Sequence, residues 1–172
     1  MLEGRRVAIL ADEHFEDSEL TEPLRAMKDA GANVRIVGNG SKKRNRAKRG
    51  SAEVTAAATA DKVEASQFDA IIVPGGYVAD KMRLHQPMID PVRKAHAEGN
   101  IVAAACHGPQ LLISADIAKG CRATSWPSVA MDLKNDGAIW VDEPMVRDGS
   151  IITSRESADL PRLNKAAIDA LL

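Results

Sequence analysis

Ile101-Val102-Ala103-Ala104-Ala105-Cys106-His107-Gly108-Pro109-Gln110 is the stretch on which the reading of this chain turns. Five apolar residues in succession, from Ile101 to Ala105, predict a buried strand. The run stops at a cysteine, and beyond Gly108 the residues Leu111, Leu112, Ile113, Ala115, Ile117 and Ala118 predict a helix. Small-x-Cys-x-Gly between a strand and a helix is the cysteine counterpart of the nucleophile elbow. Ala104 and Gly108 let strand and helix pack closely around a sharp turn, which pushes the Cys106 sulfur out at the carboxyl end of the sheet. Partial positive charge on the first helix amides then favours a thiolate, the reactive form of cysteine. The plainer alternative is that Cys106 is a small buried hydrophobe, the usual fate of a free cysteine.

Outward from the elbow, strand-like and helix-like segments alternate, the pattern of a parallel sheet with helices on both faces. Strands are expected over 7–10, 33–38 and 68–73, the last stopping at Pro74-Gly75-Gly76. Helices are expected over 23–30, 87–97 and 160–172, with Gly31 and Gly99 ending the first two. Residues 54–60 read as a short strand or hairpin arm, 122–125 as a strand and 129–134 as a short helix. Segments 139–141 and 145–147 flank a turn, and Asp148-Gly149 marks a hairpin before 150–153. With no repeat and no linker, residues 1–172 are expected to form one domain.

The composition narrows the function classes. Hydrophobic residues make up 45% and charged residues 27%, and the net charge of −1 gives no overall attraction to nucleic acid or an anionic membrane. No apolar stretch approaches the ~20 residues of a membrane span. The N-terminal residues run into the first strand without a signal-peptide core, and two cysteines, Cys106 and Cys121, make no disulfide framework. A cytoplasmic protein is therefore expected. Residues 42–49 concentrate six of the 23 basic residues, but no aromatic is interleaved for stacking on bases. A solvated loop between two strands explains this run more simply than a nucleic-acid contact.

A nucleophilic cysteine needs a base or charge partner and donors for an oxyanion. His107 is adjacent, and the sharp turn gives it an approach to the sulfur. The Gly75 and Gly76 amides, at the same carboxyl edge, suit an oxyanion hole with the His107 amide, although a plain tight turn needs the same glycines. Asp12 to Glu19 is unusually acidic, and Glu16 and Glu19 are spaced to share a helix face. A carboxyl buried beside a thiolate would be pushed toward its protonated form, yet acidic residues also favour helix N-termini for their own sake. Trp126 either walls the pocket or fills the core. The remaining histidines show no metal-ligand spacing, so neither a metal nor a cofactor is expected.

Taken together, these residues resemble the PfpI (intracellular protease I-like) family within the ThiJ/PfpI superfamily, which includes the parkinsonism-associated deglycase. The blocks that carry the resemblance are 15–20 with Pro23, 69–76, 105–115, Thr124-Ser125, 153–155 and Asp159-Leu160-Pro161. The resemblance implies a flavodoxin-like three-layer sandwich that forms homodimers, sometimes hexamers, with its site near a subunit contact. It makes Cys106 the nucleophile, His107 its partner, and Gly76 with the His107 amide the oxyanion hole. It assigns a carboxyl in contact with the sulfur to Glu16, with Glu19 second. In peptidase members a glutamate from a neighbouring subunit completes a triad; the matching position here is Asp80, whose side chain is shorter. A tyrosine common after the Thr-Ser pair is replaced by Trp126.

Three functions follow. The leading expectation is a cysteine-dependent stress-response enzyme of glyoxalase or deglycase type, acting on a small electrophile or a damaged protein through a Cys106 thiolate. The second is an intracellular cysteine peptidase or amidase using Cys106, His107 and Asp80. The third, from another class, is a redox sensor or protective chaperone in which Cys106 itself is oxidised.

Overall fold

A computed structural model describes residues 1–40 and 43–172. In chain order its elements are β1 (Arg6–Leu10), α1 (Asp17–Asp29), β2 (Asn33–Gly38), β3 (Arg44–Arg46), β4 (Glu53–Thr55), β5 (Ala58–Thr59), β6 (Ala70–Val73), α2 (Val78–Met82), α3 (Gln86–Ala97), β7 (Ile101–Ala105), α4 (Pro109–Ser114), β8 (Arg122–Ala123), α5 (Ala130–Asn135), β9 (Ile139–Trp140), β10 (Met145–Asp148), β11 (Ile151–Ser154) and α6 (Leu160–Leu171).

The unbroken apolar runs of β6 and β7 lie in the middle of a seven-stranded sheet, where every one of their residues is buried. The order is β10-β11-β7-β6-β1-β2-β5, parallel except for the edge strand β10, which pairs antiparallel with β11. Register places Ala8 beside Arg35 on one side and Ile71 on the other, and Ala105 beside Ser154. Helices α1 and α6 pack together over one side of the sheet, while α3 and α4 pack together over β6 and β7. This is a flavodoxin-like three-layer sandwich, and its strand order reverses between β1 and β6. In such sheets ligands bind at the carboxyl ends of the strands, at that reversal.

Several expectations change. Helix α1 starts at Asp17, six residues before Pro23, with Glu16 as an extended N-cap and two acids in its first turn. Pro23 lies inside that helix and withholds one backbone donor from the carbonyl of Glu19. The elbow helix α4 ends at Ser114, because Asp116 takes a left-handed conformation at φ 58°. Strand β9 pairs with β8 rather than with β10. The short helix α2 after Gly76 was not expected.

The basic stretch is not one solvated loop. Arg44–Arg46 pairs antiparallel with Glu53–Thr55, and the Arg44 and Arg46 guanidiniums lie 3.8 and 3.5 Å from Glu53. Lys42, the first basic residue of that stretch, lies outside the described residues. Among the described residues no helix is long and apolar enough to cross a membrane.

Candidate active site

Three loops meet where β1, β6 and β7 end. Phe15, fully buried after β1, forms one bridge to Ala47 of the basic hairpin and another to Gly76 after β6. The Glu16 amide donates to the Gly75 carbonyl at 2.8 Å, and the Lys48 amide to the Phe15 carbonyl at 2.8 Å. These bonds clamp the loops at the head of the elbow.

Cys106 follows directly on β7 and holds φ at +58°, a left-handed backbone that costs a non-glycine residue about 1–2 kcal/mol. Its amide donates to the Ser154 carbonyl at 3.0 Å, and its carbonyl accepts from the Trp126 amide at 2.9 Å. The neighbouring strand and loop thus hold the strained residue in place. Close packing of strand on helix requires Gly108: a Cβ there would sit 2.7 Å from the Val73 carbonyl oxygen and 2.8 Å from that of Ala105.

The Cys106 sulfur is 3.3 Å from Nδ1 of His107. Burial, and then the Lys48 charge, hold the His107 imidazole below its usual value, so the neutral ring faces the sulfur. Trp126 stacks on that ring, with centroids 6.2 Å apart and planes 25° apart. Of the two readings of Trp126, the structure gives the pocket wall.

The two carboxylates part company. Glu16, the residue favoured for the sulfur contact, instead forms an ion pair with Lys48 at 2.5 Å. The carboxyl against Cys106 belongs to Glu19, one turn further into α1 and 1% exposed. Burial is the main cause that raises its pKa to about 7, helped by the Glu16 charge; hydrogen bonds from Ser157 and Cys106 and the Gly75 amide pull the other way. Ser157 Oγ donates to Glu19 Oε2 at 3.1 Å, whereas Oε1 has no well-formed hydrogen bond among the described residues.

Burial also pushes the Cys106 thiol up, as does a charged Glu19, against the pull of the His107 amide and of Lys48. The helix-amide field expected at the elbow is therefore not the governing influence. A proton on Glu19 removes the repulsion and gives the sulfur a donor, so Glu19 and Cys106 share one negative charge between them.

Gly75 does not join the oxyanion hole in the way the sequence suggests, because its amide is drawn to the Glu19 carboxyl. A Cβ on Gly75 would overlap Glu19 Oε1 and lie 2.9 Å from Cys106 Cβ. The His107 amide is bonded to the sulfur, and Gly76 lines the same cavity. Asp80 is exposed on α2 and does not line the cavity of about 520 Å³ that opens over Cys106. Lys48, Arg49, Tyr77, Glu156 and Ser157 do line it, and sequence reasoning missed all five. Glu156 and Ser157 alone among the five carried a local signal, since they follow the Thr153-Ser154-Arg155 block at the end of β11. Among the described residues no group of three or more His, Cys, Asp or Glu is placed to hold a metal.

The model of the DJ-1/PfpI family matches residues 5–170. The chain belongs to that family. It is 37% identical over 169 residues to general stress protein 18 of Bacillus subtilis, covering 98% of each chain. Protein/nucleic acid deglycase 2 of Escherichia coli is equally similar, at 37% over 169 residues and 98% of each chain. Among solved structures, a two-domain protein of Anabaena variabilis with DJ-1/ThiJ/PfpI-like and ferritin-like domains superimposes with a TM-score of 0.95 at 39% identity. That match takes in 97% of this chain and 48% of the longer one. The DJ-1/PfpI fold thus accounts for the sheet order, with the buried thiol at the head of β7, the fifth parallel strand counted from β5.

Proposed function

We propose that this protein is a cysteine-dependent stress-response hydrolase of glyoxalase or deglycase type, acting on reactive carbonyl compounds and their adducts through Cys106. One observation carries the reading: a sulfur 3.3 Å from a neutral imidazole, backed by a buried carboxyl that titrates near 7, under an open cavity. Acid–base work at neutral pH wants a carboxyl tuned into that range. The names of the Bacillus and Escherichia relatives agree with it.

With methylglyoxal, the Cys106 thiolate adds to the aldehyde carbon, and the new alkoxide takes a proton from Glu19. The proton on that carbon then moves to the adjacent carbonyl carbon and its hydroxyl proton to the adjacent carbonyl oxygen, with His107 and Glu19 as the acid–base groups beside Cys106, which leaves a lactoyl thioester on Cys106. Water cleaves the thioester, releasing lactate and restoring the thiol. Methylglyoxal and one water become lactate, with no oxidant or reductant.

A second reading has its own support. The bare Glu19 Oε1 beside the sulfur suits a proton shared with an oxygen placed on Cys106 by peroxide, the chemistry of a redox sensor. Peptide hydrolysis draws less support, since Asp80 stands outside the cavity of its own chain.

Methylglyoxal loss is followed for wild type and Cys106→Ser, with intact mass after mild peroxide on the same samples. Turnover that disappears in the variant is the expected result. Equal turnover in both overturns the assignment of Cys106. No turnover in either, with oxygen added at Cys106 alone, replaces the enzyme reading with the sensor.

A further inference from the structure

We propose that Lys48 is a positioning residue for Cys106: its ammonium, seated on Glu16 at the cavity wall, supplies the positive charge against which the thiolate forms. Nothing in the basic run marks Lys48 off from its neighbours; the fold does. The Arg44 and Arg46 side chains turn to Glu53 and are largely exposed, whereas Lys48 is 28% exposed and turned inward. Three contacts set its position. Its amide is bonded to Phe15, its ammonium is paired with Glu16, and that ammonium also lies 5.6 Å from the centre of the Tyr77 ring. The first two come from the loop after β1 and the third from the loop after β6.

The charge is needed because the sulfur is otherwise poorly placed to ionise. Glu19 and Glu16 of the α1 region and Glu156 after β11 are carboxyl groups around the cavity; His107 is neutral, and Arg49 is 73% exposed and screened by water. Lys48 is the partly buried cation among these groups. By pairing with Glu16 it also offsets the charge that pushes the Glu19 proton's affinity up. The basic hairpin thereby becomes part of the reaction centre rather than a contact for nucleic acid.

This inference rests on Cys106 reacting as a thiolate, and its test does not use turnover. The rate of Cys106 carbamidomethylation by iodoacetamide is measured from pH 5 to 10 in the full-length protein. Lys48→Met is expected to slow alkylation at pH 7 by about tenfold, its midpoint rising by roughly one pH unit, the usual effect of losing a nearby opposite charge. Lys48→Arg restores the profile, and Arg44→Gln on the same hairpin leaves it unchanged. Should Lys48→Met lose its cooperative melt, Lys48→Gln, which keeps the stem and drops the charge, gives the same reading. Superimposable profiles for wild type and the uncharged variant overturn the proposal. Loss of methylglyoxal turnover bears only on the function, so the two failures are separable.

Discussion

Cys106 and Glu19 are buried side by side; a charged Glu19 makes ionisation of the thiol more costly, while burial, helped by the Glu16 charge, raises the Glu19 carboxyl itself. The consequence can be measured on stability. Glu19 titrates near its usual 4.5 in the unfolded chain and about 7 in the folded one. Between those values the native state binds the extra proton, so this contribution to stability is complete below about pH 4.5 and is lost as pH rises through 7. At about 1.4 kcal/mol for each unit of pKa, the full loss is roughly 3 kcal/mol. Glu19→Gln removes the titrating group while keeping an acceptor for Ser157. Urea unfolding from pH 4.5 to 8.5 should show wild type losing stability to the variant across this window. Parallel curves for the two proteins would mean that Glu19 is charged in the native state at neutral pH.

At the scale of elements, the site is a joint of loops with no spare volume. Gly75 shows how little: an added Cβ meets the Ala105 carbonyl oxygen at 2.8 Å and Cys106 Cβ at 2.9 Å, both fixed to the backbone of the elbow. Overpacking of this kind costs about 1–3 kcal/mol. Gly75→Ala should therefore lower the thermal midpoint by about 3–10 °C for a chain of this length, and a midpoint within a degree of wild type would show that the loops yield freely. The same joint explains what the residues disclose on their own. Strand β2, helices α3 and α6, and the elbow are legible because continuous apolar runs, helical periodicity and glycine stops are local signals. The partner of Cys106 is not. Glu16 and Glu19 lie on the same turn region, and only burial of α1 against the elbow turns Glu19 inward while Lys48 claims Glu16. Lys48 itself reads as solvent-facing until the Phe15–Ala47 bridge brings its hairpin across the sheet edge.

The whole molecule places this chemistry at the reversal of strand order, where the chain leaves β1 toward β2 on one side and β6 toward β7 on the other. The crevice there is open, and its rim carries Trp126 at 38% and Tyr77 at 68% exposure, with Leu84 at 79% just beyond α2. Tyr77 and Leu84 flank the same short helix that presents Asp80 to solvent. We propose that a second copy of the chain covers this face, in a homodimer or a hexamer, and brings its Asp80 toward the neighbour's cavity. A stable contact between subunits needs about 1,000 Å² or more of buried surface, and a lysine at its centre opposes it. Sedimentation equilibrium at micromolar protein should return twice or six times the chain mass for wild type and a lower multiple for Leu84→Lys. A wild-type protein that sediments as a single chain would remove both the assembly and the shared Asp80. If the assembly forms and Asp80→Ala leaves Cys106 alkylation and methylglyoxal loss unchanged, the site works with the groups of one chain, and the neighbour serves only to close the crevice.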